Sequence, residues 1–235
     1  MKGRNPMSHI KALSTTLFAG LALAIAFATT SAFAALPDIH VGTGGTYPVN
    51  GEGTIGTGAA VVGILETELG EKLTSTKVTV LSTLNELSSL GPLELKLTGF
   101  KEKAGTECHT ATLGEGVVQF SGEYHVVYTG LTILTAGILI LFPEQTVVCN
   151  KEKLKIKIKA PTLVKLTVAA GAEVTTYKLE SACTKGKQEP KEYYNEEGVL
   201  TAANLLASFG LGFEKACYRG EPLTVTSNQK IDFLF

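Results

Sequence analysis

The chain has no tryptophan and only two aspartates, Asp38 and Asp232, among its 235 residues. So little aspartate leaves scant material for Ser-His-Asp triads or for the Asp-rich loops that hold calcium. The missing indoles slightly disfavour a sugar-stacking platform, although tyrosine can serve. No G-x-S-x-G, H-E-x-x-H or C-x-x-C pattern occurs, which removes the nucleophile elbow, the zinc-protease helix and the paired-cysteine metal or redox motif. No unit of fixed length repeats and no charge block marks a second domain.

Acidic residues are also missing before Asp38. In that stretch Lys2, Arg4 and Lys11 precede an apolar run over residues 17–28, which ends in Thr29, Thr30, Ser31 and then Ala32-Phe33-Ala34. Positive charge, apolar run and small-x-small ending together read as a signal peptide over residues 1–34, cleaved after Ala34. A start at Met7 would remove Lys2 and Arg4 and leave the reading unchanged. An uncleaved anchor needs about 18 apolar residues, and this run is shorter. The expected location is therefore the cell envelope or the extracellular space, with no transmembrane anchor after cleavage. Removing the leader leaves 18 basic against 22 acidic residues, a net charge of -4. That balance gives no electrostatic footprint for nucleic acid or an anionic membrane, and nucleic acid is excluded as a partner.

The four cysteines, Cys108, Cys149, Cys183 and Cys217, all lie in the mature part. An even count in an exported chain reads as two disulfides. Sequential pairing, Cys108 with Cys149 and Cys183 with Cys217, is favoured among the three connectivities. A metal site is disfavoured, because the neighbours Cys108 and His109 would point to opposite faces of a strand. No cofactor is implied.

Most of the remaining chain carries β signals. Leu93, Leu95 and Leu97 alternate with polar residues, as do Leu154, Ile156 and Ile158 with Lys153, Lys155, Lys157 and Lys159, the pattern of half-buried strands. Val164, Leu166 and Val168 continue it beyond Pro161, so the last two runs predict a hairpin. Further strands are expected over residues 77–81, 116–128, 145–149, 173–181 and 223–235. Residues 131–141 are almost free of polar side chains and must be covered on both sides, by the core or by a partner, lipid or subunit. Residues 200–209, with Ala202, Ala203, Leu205, Leu206 and Ala207, predict one short helix closing at Gly210. The expected fold class is all-β, an antiparallel sandwich or barrel. It occupies residues 59–235 as a single β domain, and the Gly- and Thr-rich residues 35–58 form a loop-like or partly disordered segment ahead of it.

Two patterns carry candidate chemistry. Gly51, Gly53 and Gly56 match the dinucleotide fingerprint formally, but that motif needs a preceding strand and a βαβ unit that the surrounding sequence lacks. Glu123 and His125 lie two residues apart and would share a strand face, where an acid/base pair or two metal ligands could be presented. Generic surface pairing is the plainer account of them. The lysine row at 153, 155, 157 and 159 would suit an anionic surface polymer; the plainer expectation is a solvated face that guards a sheet edge against pairing.

Residues 78–82, 95–100, 122–128, 185–189 and 212–217, among them Gly122-Glu123-Tyr124-His125 and Glu214-Lys215-Ala216-Cys217, resemble segments of a group of exported, uncharacterised bacterial proteins. The resemblance spans most of the mature chain. It implies a shared β fold and export, and it assigns no activity and no functional residue. The functional expectation is an exported, non-catalytic protein with a structural or binding role and an unidentified surface or protein partner; the alternative is a secreted hydrolase with a site near Glu123 and His125.

Overall fold

A computed structural model describes residues 36–86, 89–149, 153–168 and 172–234; the signal-peptide reading lies outside the described residues. In chain order the strands begin with β1 (Asp38–Val41), β2 (Val49–Ile55), β3 (Gly63–Thr67), β4 (Lys72–Ser75), β5 (Lys77–Leu84), β6 (Leu90–Thr98) and β7 (Lys101–Glu102). They continue as β8 (Cys108–Thr110), β9 (Val117–Gly130), β10 (Thr135–Leu141), β11 (Gln145–Cys149), β12 (Leu154–Lys159), β13 (Thr162–Thr167) and β14 (Val174–Glu180). The last seven are β15 (Ala182–Thr184), β16 (Lys187–Glu189), β17 (Glu192–Tyr194), β18 (Leu200–Ala202), β19 (Leu205–Ser208), β20 (Glu214–Gly220) and β21 (Leu223–Leu234). The protein is all-β, with antiparallel pairing throughout.

The first sheet runs β10-β13-β14-β21-β2-β5-β6-β9, and β9 pairs again with β10, so it closes into a barrel. Closure of a tilted sheet makes the two edges of one strand serve at different heights. This is why β9 is so long: Val117 to His125 pair with β6, while Glu123 to Gly130 pair with β10. The second sheet runs β7-β4-β3-β20-β19-β12-β11-β8. The bridge of Lys101 with Glu107 and the bond from Cys108 N–H to Phe100 O (2.8 Å) bring its two ends together, making a second barrel-like sheet.

Alternation along the long strands builds the two cores. Val80, Leu93, Tyr124, Val126, Ile138, Val225 and Phe233 point into the first barrel. One to three steps along the same strand faces, Val78, Leu97, Val118 and Phe120 meet Leu73, Phe100, Ile156, Ile158 and Leu205 in the second core. Ile55, Leu95 and Phe142 pack against both. Residues 36–235 thus form one compact unit around two joined cores. The apolar run at 131–141 is covered only over residues 136–140: Ala136, Ile138 and Ile140 face the first core, while Leu139 packs outward with Val127, Leu163 and Ala203; Ile133 and Leu134, in the turn before β10, are exposed.

Three expectations change. Residues 200–209 are not helical; they form β18 and β19, and β19 lies between β12 and β20 with Leu205 and Ala207 turned inward. A segment this short gains little from helix propensity, and two waiting strand edges outweigh it. Nearly half of the glycine-rich stretch expected as a loop is strand, β1 and β2. Its Gly51 and Gly53 point inward where a Cβ would come within 2.7 Å of Ser82 Oγ and 2.8 Å of Thr224 O, so they are glycine to let strands crowd a small interior. Finally, β12 and β13 are not a hairpin: β12 pairs with β11 and β19, β13 with β10 and β14, and Pro161 sits where the chain leaves one sheet for the other.

Candidate functional site

Both disulfides form with the sequential pairing, Cys108–Cys149 and Cys183–Cys217. Cys108 and Cys149 are directly opposed on β8 and β11, so that bridge lies within the second sheet. Cys183 belongs to the β15–β16 hairpin and ties it to Cys217 on β20. The same hairpin reaches the first sheet through Gln188, whose Nε2 donates to Leu163 O and whose Oε1 accepts from Thr162 Oγ1 at 2.8 Å. With all three residues of that contact buried, the hairpin clamps one sheet to the other.

Glu123 and His125 do come together, on the outer face of β9. His125 Nε2 stands 3.3 Å from Glu123 Oε1, but off the line a hydrogen bond needs, and this buried nitrogen has no aligned partner among the described residues. Beside the pair lies an open groove of about 430 Å³ lined by Leu90, Gly91, Pro92, Glu123, Leu141, Phe142 and their neighbours. Among the described residues Glu123 is the only ionisable one that lines it, and His125 is not part of the lining. Acid/base or nucleophilic catalysis needs a second convergent polar group where substrate sits, and the groove supplies none. Among the described residues, no three His, Cys, Asp or Glu side chains converge as a metal site. The formal dinucleotide match lies within and just after β2, an antiparallel strand with no helix behind it, so it cannot cradle a pyrophosphate as the fingerprint does.

The barrel interior is polar in places but filled. Tyr124 and Tyr177 share it with Ser82 and Ser227, beside two cavities of about 20 Å³ each, the size of one water molecule rather than a ligand. Burial, then the neighbouring Tyr177 hydroxyl, pushes the Tyr124 phenol well above its ordinary range; burial also raises Tyr177, against a bond with Ser82. In the second core burial pushes Tyr218 up to about 12, partly offset by its bond with Ser75.

The lysine row is placed differently from expectation. β12 lies between β11 and β19, so its lysines guard no edge. Lys155, Lys157 and Lys159 stand outward, opposite Ile156 and Ile158 in the core. Lys157 is paired with Glu144 at 2.9 Å, and Lys159 Nζ lies 4.3 Å from the centre of the Phe213 ring. Register carries the face onward: Lys159 opposes Leu206, and Leu206 opposes Lys215. Sequence reading missed Lys215 and residues 209–213 as neighbours of this row, since residues 200–209 looked helical; the usable signal was Gly210-Leu211-Gly212, a leucine isolated between two glycines.

No family model, curated protein or solved structure matches the chain. What the fold defines is a class: an all-β protein of closed antiparallel sheets with every cysteine paired.

Proposed function

We propose that the protein is an exported, non-catalytic binding protein of the cell envelope or extracellular space. The observation that carries this reading is the pairing of all four cysteines across a closed β body, an arrangement that persists in oxidising compartments and is rare where thiols are kept reduced. The leader-like residues 1–34 supply the route. The open groove at Glu123, without a second convergent polar group, supports binding over the hydrolase alternative.

Fractionation of producing cells with intact-mass measurement tests this. The expected product is a chain beginning at Ala35 or within a residue or two of it, in the envelope or medium, with no thiol available for labelling. A chain that retains residues 17–28 in the membrane fraction, or free thiols in the native protein, would overturn it.

A further inference from the structure

We propose that the protein docks on an anionic lipid bilayer through one rim of the second sheet, with Leu211 entering the interface and Lys155, Lys159 and Lys215 meeting lipid phosphates. This rests on the reading of the protein as an exported binding protein and names the surface it binds. Chain-wide charge argues against an anionic surface, but binding depends on where the charges lie. The fold gathers three lysines from two strands onto one outer face: Lys155 and Lys159 on β12, and Lys215 on β20, joined across Leu206 of β19. Lys155 and Lys215 are exposed and have no carboxylate partner among the described residues.

The apolar component adjoins them. Phe209-Gly210-Leu211-Gly212-Phe213 joins β19 to β20, and both glycines have positive φ, 105° and 117°. That conformation costs a side chain dearly and glycine little, and it thrusts out Leu211, which is 99% exposed. Leu69, 79% exposed, stands in the adjoining β3–β4 turn, held by its N–H to Glu214 Oε2 at 3.1 Å. Phe213 lies under Lys159, so loop and lysine face form one surface. A hydrophilic polyanion would use the lysines and leave both leucines in water. A bilayer with acidic headgroups takes both, since apolar side chains sink to the acyl boundary while Lys remains at the phosphates.

The test is co-sedimentation of the processed, oxidised protein with vesicles of phosphatidylcholine alone and of equal parts phosphatidylcholine and phosphatidylglycerol, with dextran sulfate as a soluble polyanion. The variants are Leu211→Ser and the triple change Lys155→Gln, Lys159→Gln, Lys215→Gln; all four positions lie on the surface, and circular dichroism checks each fold. The expected result is salt-sensitive binding to the mixed vesicles, weakened at least about tenfold by the triple change and several-fold by Leu211→Ser. Phosphatidylcholine alone should bind weakly, with no effect of the lysine changes. Absence of binding to mixed vesicles by the folded protein would overturn the proposal, as would a Leu211→Ser variant that binds them unchanged. In the latter case retained binding to dextran sulfate would mark a site for soluble polyanions. Failure of the export reading shows separately, as a leader still present by mass.

Discussion

The two sheets solve the same problem with different means. Strands of the closed circuit in the first sheet run from six residues in β13 to fourteen in β9, and no disulfide touches them. In the second they run from two residues in β7 to seven in β20, and both disulfides end there. Long strands supply their own ladder bonds and a deep apolar face. Short ones supply less of each, and a covalent link compensates by restricting the unfolded chain. The disulfides thus fall in the half of the molecule built from the shorter strands.

Removing the bridges should break the comparison most sharply. With loops of 41 and 34 residues, each is worth about 4 kcal/mol in the chain-entropy model. Replacing Cys108 and Cys149 by alanine should speed amide exchange in β8, β11 and β12 far more than in β2 or β5. Uniform loss of protection across both sheets would show that they unfold as one.

In the first sheet the equivalent weak point is packing. Phe233, fully buried and edge-on to Tyr177 with ring centres 5.3 Å apart, should cost about 3–5 kcal/mol on truncation to alanine, measured by urea unfolding. A loss below about 1 kcal/mol would mean that the barrel interior collapses around the gap.

The clamp sharpens the comparison by asking how the sheets communicate. Gln188→Ala leaves the buried Thr162 hydroxyl and Leu163 carbonyl short of a partner, and should cost about 1–3 kcal/mol. Coupling to the Cys183–Cys217 bridge in a double-mutant cycle is expected, because both act through one hairpin; strict additivity would argue against a clamp.

The smallest effect near neutrality is the alkaline one. Tyr124, Tyr177 and Tyr218 keep their protons in the folded state above the ordinary tyrosine pKa, whereas the unfolded chain begins to release them near pH 10, as free tyrosine does. The folded state then binds more protons, so stability is full below about pH 10 and falls as pH rises through and beyond it. Absorbance titration of the seven tyrosines should show a fraction that ionises only on unfolding. Smooth ionisation of all seven without loss of structure would contradict this burial.

Much of this was legible in the residues. Period-two alternation marks Leu93, Leu95 and Leu97, and Leu154, Ile156 and Ile158, as strands because side chains on a pleated backbone must alternate. The bare apolar run at 131–141 called for cover on both faces, and residues 136–140 of β10 have it, while Ile133 and Leu134 in the preceding turn do not. The candidate pair Glu123 and His125 was also legible, since residues two apart share a face. Its setting was not: the groove comes from β6 and the chain after β10, distant in sequence.

Local pattern, then, determined strand content and the spacing that suits two cysteine bridges, because alternation and loop closure are properties of the chain itself. Tertiary structure decided which edge met which. It turned an apparent helix into β19, an apparent loop into β2, and an apparent edge strand into the interior β12. In each case a short segment has little conformational preference of its own, and the hydrogen bonds and burial offered by strands far away in sequence outweigh it. The same physics set Lys159, Phe213 and Lys215 side by side on a surface that no linear reading could assemble.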